Sequence, residues 1–329
     1  FKQKTAYEIY QCDWSSDVCS SDLPYQFCNL SEVVIRENDD MTSVAKKVEL
    51  ASILGTWQST LTDFKYIRKI WKDNTEEERL LGVSLTGQFG NKLFSGKQGL
   101  DKLAMALDEL RLHAVHVNKQ EAGKIGIPAS AAVTCVKPSG TVSQLVGVSS
   151  GMHPWHSNYY IRTVRGDKKD PLTQFLTDAG IPAEDDVMKP SDTTVFSFPI
   201  KSPKGSILRN DLTAIEHLNI WLTYQRHWCE HKPSITVSVR EDEWMEVGAW
   251  VWEHFDEVSG ISFLPYSDHT YKQAPYQDCT ETEYLEALAK MPSTINWDAL
   301  SLYETEDSTT GSQALACVAG ECEIVDINA

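Results

Sequence analysis

Apolar positions along the chain alternate between a short and a long period. Phe27 to Arg36, FCNLSEVVIR, ends in β-branched residues and predicts a strand. From about Thr42 to Lys72 the period is helical, with Val44, Val48, Ala51 and Leu54 on one stripe and Gly55 as the break between two helices. LLGVSLTGQ predicts a strand and Leu100 to Ala122 a long helix; the strand AAVTCV then runs into the turn KPSG. Further on come the strand YYIRTVR, a helix over Pro171 to Ala179, the strand TVFSFPI, a helix over Leu212 to Trp228, the strand SITVSV, a helix over Glu241 to Phe255 and the strand GISFLPY. Strands separated by helices in this way predict an α/β layer or barrel with parallel pairs. No internal repeat is present.

The two ends break the pattern. Cys12 to Leu23, CDWSSDVCSSDL, has neither apolar period nor turn logic. Lys2 to Ile9 and Asp13 to Leu23 can be back-translated, in one frame and in order, into the two constant arms of a common indexed sequencing-library adapter. Residues 1–23 are therefore set aside as non-native, and native sequence is expected to begin at about Pro24, inside a domain. Ser301 to Ala329 is polar, acidic and rich in Gly, Ser and Thr, which predicts a mobile tail.

Composition narrows the function. A chain of 329 residues with 41% hydrophobic content can bury a sizeable core, and no apolar run is long enough to cross a bilayer, so a cytoplasmic protein is expected. A formal charge of -17 disfavours nucleic acid and anionic membranes as partners, since these are held by clustered Lys and Arg. It leaves room for a small anion held by backbone amides. Eight cysteines are too few for a disulfide scaffold, and their spacing is not that of a zinc site.

Four stretches carry candidate chemistry. In VKPSGTVSQL a turn follows an apolar strand, so that Ser139, Gly140, Thr141, Val142 and Ser143 either cradle a phosphate with amides and hydroxyls or simply cap a short helix. Cys317 and Cys322, four residues intervening, are a redox dithiol on a leash, a metal clip lacking further ligands, or two thiols without a role. Cys28 reads as a small core residue on a strand. His153 and His156 in GMHPWH read as structural rather than as a metal pair, and Trp155 and the QRHWC aromatics as core.

Taken in order, FCNLSEVV, GTWQSTLTDF, KPSGTVSQL, GMHPWHSNYYIRTVR, DTTVFSFPI and SFLPYSDHTYKQAPY resemble the adenosylcobalamin-dependent ribonucleoside-triphosphate reductases, the monomeric class II ribonucleotide reductases. The resemblance implies that residues 24–300 are the C-terminal part of a ten-stranded α/β barrel and 301–329 a redox tail. It further implies adenosylcobalamin as cofactor, a ribonucleoside triphosphate as substrate, and a thiyl radical that abstracts the ribose 3′ hydrogen while two cysteines reduce C2′. Cys28 matches one of that redox pair, the Ser139 to Ser143 turn the substrate phosphate site, and Cys317 with Cys322 the tail dithiol recharged by a thioredoxin-type reductant. The family's radical cysteine, catalytic glutamate, second redox cysteine and dNTP effector region would precede Pro24, so the polypeptide as it stands is expected to be inactive alone. A class I large subunit would carry adjacent tyrosines where GISFLPYSDH has only Tyr266, and the tail lacks a glycyl-radical segment. The non-enzyme alternative is a phosphate-binding α/β module with a redox-sensing tail.

Overall fold

The structure, a computed structural model, describes residues 24–266 and 271–304. In chain order its elements are β1 (Asn29–Val34), α1 (Met41–Gln58), α2 (Lys69–Glu78), β2 (Leu81–Thr86), α3 (Leu100–Ile125), β3 (Thr134–Cys135), α4 (Val142–Leu145), β4 (Tyr159–Asp167), α5 (Pro171–Asp178), β5 (Ala183–Asp185), β6 (Thr193–Lys201), α6 (Ala214–His227), β7 (Ile235–Val239), α7 (Trp244–Glu253), β8 (Ile261–Pro265), β9 (Tyr276–Asp278) and α8 (Glu281–Ala289). They form two compact units, one of residues 24–155 and 203–266, the other of residues 156–202 and 271–304.

In the first unit β1, β2 and β3 pair in parallel, as do β7 and β8. A parallel bridge between Val136 and Pro233, with Ser234 N donating to Val136 O, carries the order across from β3 to β7. The predicted parallel strands are thus present, though AAVTCV contributes only two ladder residues before the chain turns away.

One face of this sheet packs on helices. Leu81, Val83 and Leu85 of β2 join Val33, Val44, Val48, Leu103, Leu107, Leu218 and Trp221 in the core, and Ser31 donates to Ala51 O in α1. Period two then puts the register partners Leu30 and Gly82, and Glu32 and Ser84 with Cys135, on the opposite face. The core aromatics expected from sequence are there: Trp155 is buried, and buried Trp228 donates from Nε1 to Cys135 O at 2.8 Å.

Gly55 is not a break. Helix α1 starts at a capping box between Asp40 and Ser43 and continues through Gly55 to Gln58. A Cβ at Gly55 would stand 2.6 Å from Leu81 Cδ2, so glycine is there because the helix lies close on β2. The helix stops where the Ser59 and Thr60 hydroxyls donate back to Thr56 O and Trp57 O.

In the second unit the strands run antiparallel, in the order β5-β6-β4-β9. A strand-helix-strand spacing carries no direction, and here Arg165 pairs with Asp186 at 2.7 Å while Lys168 N donates to Asp192 O, pinning a chain that doubles back. Among the described residues no helix is long and apolar enough to cross a membrane.

Candidate active site

The face of the parallel sheet that turns away from the helices gathers most of the residues the sequence singled out. Cys28 lies just before β1, and its Sγ would be 3.3 Å from a Cβ at Gly82; the Sγ of Cys135, on β3, would be 3.1 Å from the same point. A glycine at 82 is what leaves space for both sulfurs. The two cysteines approach β2 from opposite sides, since β1 and β3 flank it. Cys229 is buried beside Cys135, and burial first, then that neighbour, pushes its thiol well up, which makes it inert core.

Two hydroxyls of β2 hold the turn that follows β3. Ser84 Oγ accepts from Lys137 N at 2.9 Å, and Thr86 Oγ1 accepts from Gly151 N at 2.9 Å while donating to Ser149 O at 3.0 Å. Ser150 Oγ donates to Pro138 O, and Ser143 Oγ to Ser139 O. Gly151, at φ +50°, is required: a Cβ there would be 2.4 Å from Lys137 O. The segments 137–143 and 148–151 are therefore clamped together on the open face of β2.

Within this clamp the chain leaves polar groups unused. Ser139 sits at φ +53°, and the amides of Ser139, Gly140, Thr141 and Val142 make no hydrogen bond among the described residues. Consecutive amides around a left-handed residue are the geometry of an anion-binding nest. The Oγ atoms of Ser139 and Ser149 are buried and equally without a hydrogen bond. Thr141, the cap position of α4, makes no side-chain cap bond, so the plain helix-cap alternative accounts for neither hydroxyl. Of the predicted phosphate residues, Ser139, Gly140, Thr141 and Val142 thus offer amides, and Ser143 is buried as a brace for the turn.

Sequence reasoning missed Glu32. It faces the same side as Cys28, and its Oε1 is buried without a hydrogen bond among the described residues. Burial raises its carboxyl pKa, with the Ser139 hydroxyl and the Lys137 ammonium pulling partly back. The signal was in FCNLSE: a strand period puts Cys28 and Glu32 on one face.

His153 is structural, as expected. Its Nδ1–H donates to Ser150 O at 2.8 Å and its Nε2 accepts from Thr236 N at 3.0 Å, which fixes a neutral tautomer and ties the clamp to β7; burial lowers its pKa. His217 is likewise buried, with Nε2 on Met152 O at 2.7 Å and a pKa lowered to about 4. His156 belongs to the second unit, where it pairs with Asp278 at 3.1 Å and stacks on Tyr276. Tyr266, at the end of β8, donates to Asn210 Oδ1 at 2.5 Å with the Arg240 guanidinium 5.2 Å from its ring. Cys317 and Cys322 lie outside the described residues.

No family model matches the chain. Curated relatives do. The chain is 29% identical over 289 residues to a protein of Dictyostelium discoideum named probable adenosylcobalamin-dependent ribonucleoside-triphosphate reductase, covering 81% of this chain and 35% of that one. It is 28% identical to the adenosylcobalamin-dependent ribonucleoside-triphosphate reductase of Euglena gracilis, over 80% of this chain and 39% of the relative. The Lactobacillus gasseri protein of the same name is 28% identical over 68% of the chain. The chain therefore spans between a third and two-fifths of the length of these relatives. Among solved structures, a B12-dependent class II ribonucleotide reductase superposes with a TM-score of 0.71 at 22% identity, over 85% of this chain and 42% of that one. The chain thus has the fold of part of a class II ribonucleotide reductase, and it is homologous over about four-fifths of its length to the adenosylcobalamin-dependent ribonucleoside-triphosphate reductases.

Proposed function

We propose that this chain is the C-terminal part of an enzyme that reduces ribonucleoside triphosphates to 2′-deoxyribonucleoside triphosphates in the cytoplasm, and that its own share of the work is to hold the substrate phosphates and supply one reducing thiol. The observation that carries the reading is the run of four amides that make no hydrogen bond among the described residues, from Ser139 to Val142, on the same sheet face as Cys28. A ligand held by its phosphate in that nest would present its sugar toward the Cys28 end of the face. Cys28 would then deliver a hydrogen equivalent at C2′ as one member of a dithiol whose other member lies outside this chain.

The cofactor of the relatives, adenosylcobalamin, supplies the radical when bound. Among the described residues no group of three or more His, Cys, Asp and Glu is placed to hold a metal ion, and none of them is assigned to its cobalt. Cys317 and Cys322 are proposed as the dithiol that re-reduces the site and is recharged by a thioredoxin-type reductant, and a dNTP effector would act through the part of the enzyme that this chain lacks.

The test is to restore an N-terminal half from one of the relatives and assay triphosphate reduction. Activity that depends on adenosylcobalamin and is lost in Cys28→Ser supports the reading. Equal activity without the cofactor, or dependence on a separate radical-generating subunit, rejects it. For the chain by itself, calorimetric titration with a nucleoside triphosphate should show binding that a nucleoside without phosphate does not.

A further inference from the structure

A carboxyl group beside an anion nest poses a problem of charge. Glu32 and the turn share one sheet face: Glu32 is the register partner of Ser84, and Ser84 Oγ accepts from the Lys137 amide. Two buried oxygens meet there without a completed hydrogen bond, Glu32 Oε1 and Ser139 Oγ, and the Ser139 side chain is more than nine-tenths buried. An ionised carboxylate in that position would repel an incoming phosphate and compete with it for the Lys137 ammonium. A neutral carboxyl would do the reverse, offering an O–H donor to the anion and leaving Lys137 for it.

We propose that Glu32 is a binding residue of the anion site and acts there as the neutral acid, so that the site takes up a proton together with its phosphate. The inference rests on the reading of the turn as a phosphate site and deepens it. The groups facing Glu32 leave little else to compensate its charge. The turn contributes Ser139 and Lys137, β2 contributes Ser84 and Gly82, β3 contributes the Cys135 thiol, and the β1 side contributes Leu30 and the Cys28 thiol on the same face. Among the described residues Lys137 is the charged group that acts on it. Burial works in the same direction by favouring the protonated form before any ligand arrives.

The experiment is a calorimetric titration of the full chain with inorganic sulfate and with pyrophosphate, without divalent cations, between pH 5 and pH 8 in pairs of buffers of different ionisation enthalpy. Sulfate stays a dianion across this range, so any pH dependence belongs to the protein. The expected result is a sulfate affinity that falls by up to tenfold per pH unit above the Glu32 pKa, with up to one proton taken up per anion. Glu32→Gln, which keeps shape and removes the charge, should bind sulfate with a nearly constant affinity and take up no proton. Ser139→Ala should weaken binding at every pH while keeping the proton uptake. If neither anion binds the unchanged chain at any pH, the phosphate site itself is refuted. If the anions bind but Glu32→Gln retains the pH dependence and the proton uptake, the site stands and the role of Glu32 is overturned. Glu32→Gln that weakens nucleotide binding while leaving pyrophosphate untouched would also overturn it, by assigning the carboxylate to a sugar hydroxyl.

Discussion

Gly151→Ala offers a test of the clamp that does not depend on catalysis. Two costs add at this position. The residue holds φ +50°, where a side chain costs roughly 1–2 kcal/mol. The new Cβ would also be 2.4 Å from Lys137 O and 3.2 Å from Pro138 O. Both are backbone atoms that cannot swing aside, and such overpacking costs about 1–3 kcal/mol. The sum, about 3 kcal/mol, would lower the melting temperature by about 6–12 °C in a domain of this size. Gly147→Ala is the internal control, because Gly147 has φ +67° but nothing within 4 Å of its would-be Cβ. It should lose only the strain, roughly 1 kcal/mol or about 2–4 °C. Differential scanning calorimetry of the two variants and the unchanged chain gives the difference directly. The clash also pushes on the residue whose amide is held by Ser84, so Gly151→Ala should lose anion affinity by more than Gly147→Ala does. Equal melting temperatures for the two variants would refute the close approach of 151 to the turn.

Three further outcomes are expected. His217 is neutral when folded, with a pKa of about 4 against an ordinary 6.5, so the unfolded chain takes up its proton first: its contribution is complete above about pH 6.5 and about 3 kcal/mol is lost as pH falls toward 4, which urea melts of the unchanged chain and His217→Gln at pH 8 and pH 5 would show as a shallower acid loss in the variant. Gly55→Leu should destabilise by roughly 2 kcal/mol despite leucine's better helix propensity, because the side chain must enter the space of Leu81; a stabilised variant in urea denaturation would contradict the close packing of α1 on β2. In an enzyme restored to full length, Cys317→Ser with Cys322→Ser should stop after about one turnover with thioredoxin and recover with a small dithiol, whereas Cys28→Ser should not recover with either; repeated turnovers of the double variant with thioredoxin would remove the tail from the electron path.

The sequence carried the element types because burial on one face leaves a period, and a period survives in a single chain. It did not carry direction. YYIRTVR and TVFSFPI read as two strands flanking a helix, the same spacing as the parallel pairs, yet β4 and β6 are antiparallel over nine residues each. What turns them back is a set of long-range polar contacts, Arg165 to Asp186 and Lys168 to Asp185, that no local pattern announces. Gly55 failed for a related reason. Read locally, a glycine in a helix is a weak point, while in the folded unit it is where the helix lies against a strand 26 residues further on.

The site was legible to the extent that parity on a strand is legible. LGVSLT in β2 is buried at every position, yet only Leu81, Val83 and Leu85 are apolar bulk; Gly82, Ser84 and Thr86 alternate with them and are small or hydroxylic. A strand between two apolar layers would read as continuously hydrophobic. One that alternates while staying buried must therefore place its second face against something polar. Here that something is the clamped turn: Ser84 and Thr86 take its amides and a carbonyl, and Gly82 opens room for two sulfurs. The same parity, applied to FCNLSE, brings Cys28 and Glu32 to that face. The open amides are another matter. They depend on Ser139 holding φ +53° and on Gly151 approaching Lys137 from 14 positions further on, and a left-handed serine has no signature in the sequence that an ordinary capping serine lacks.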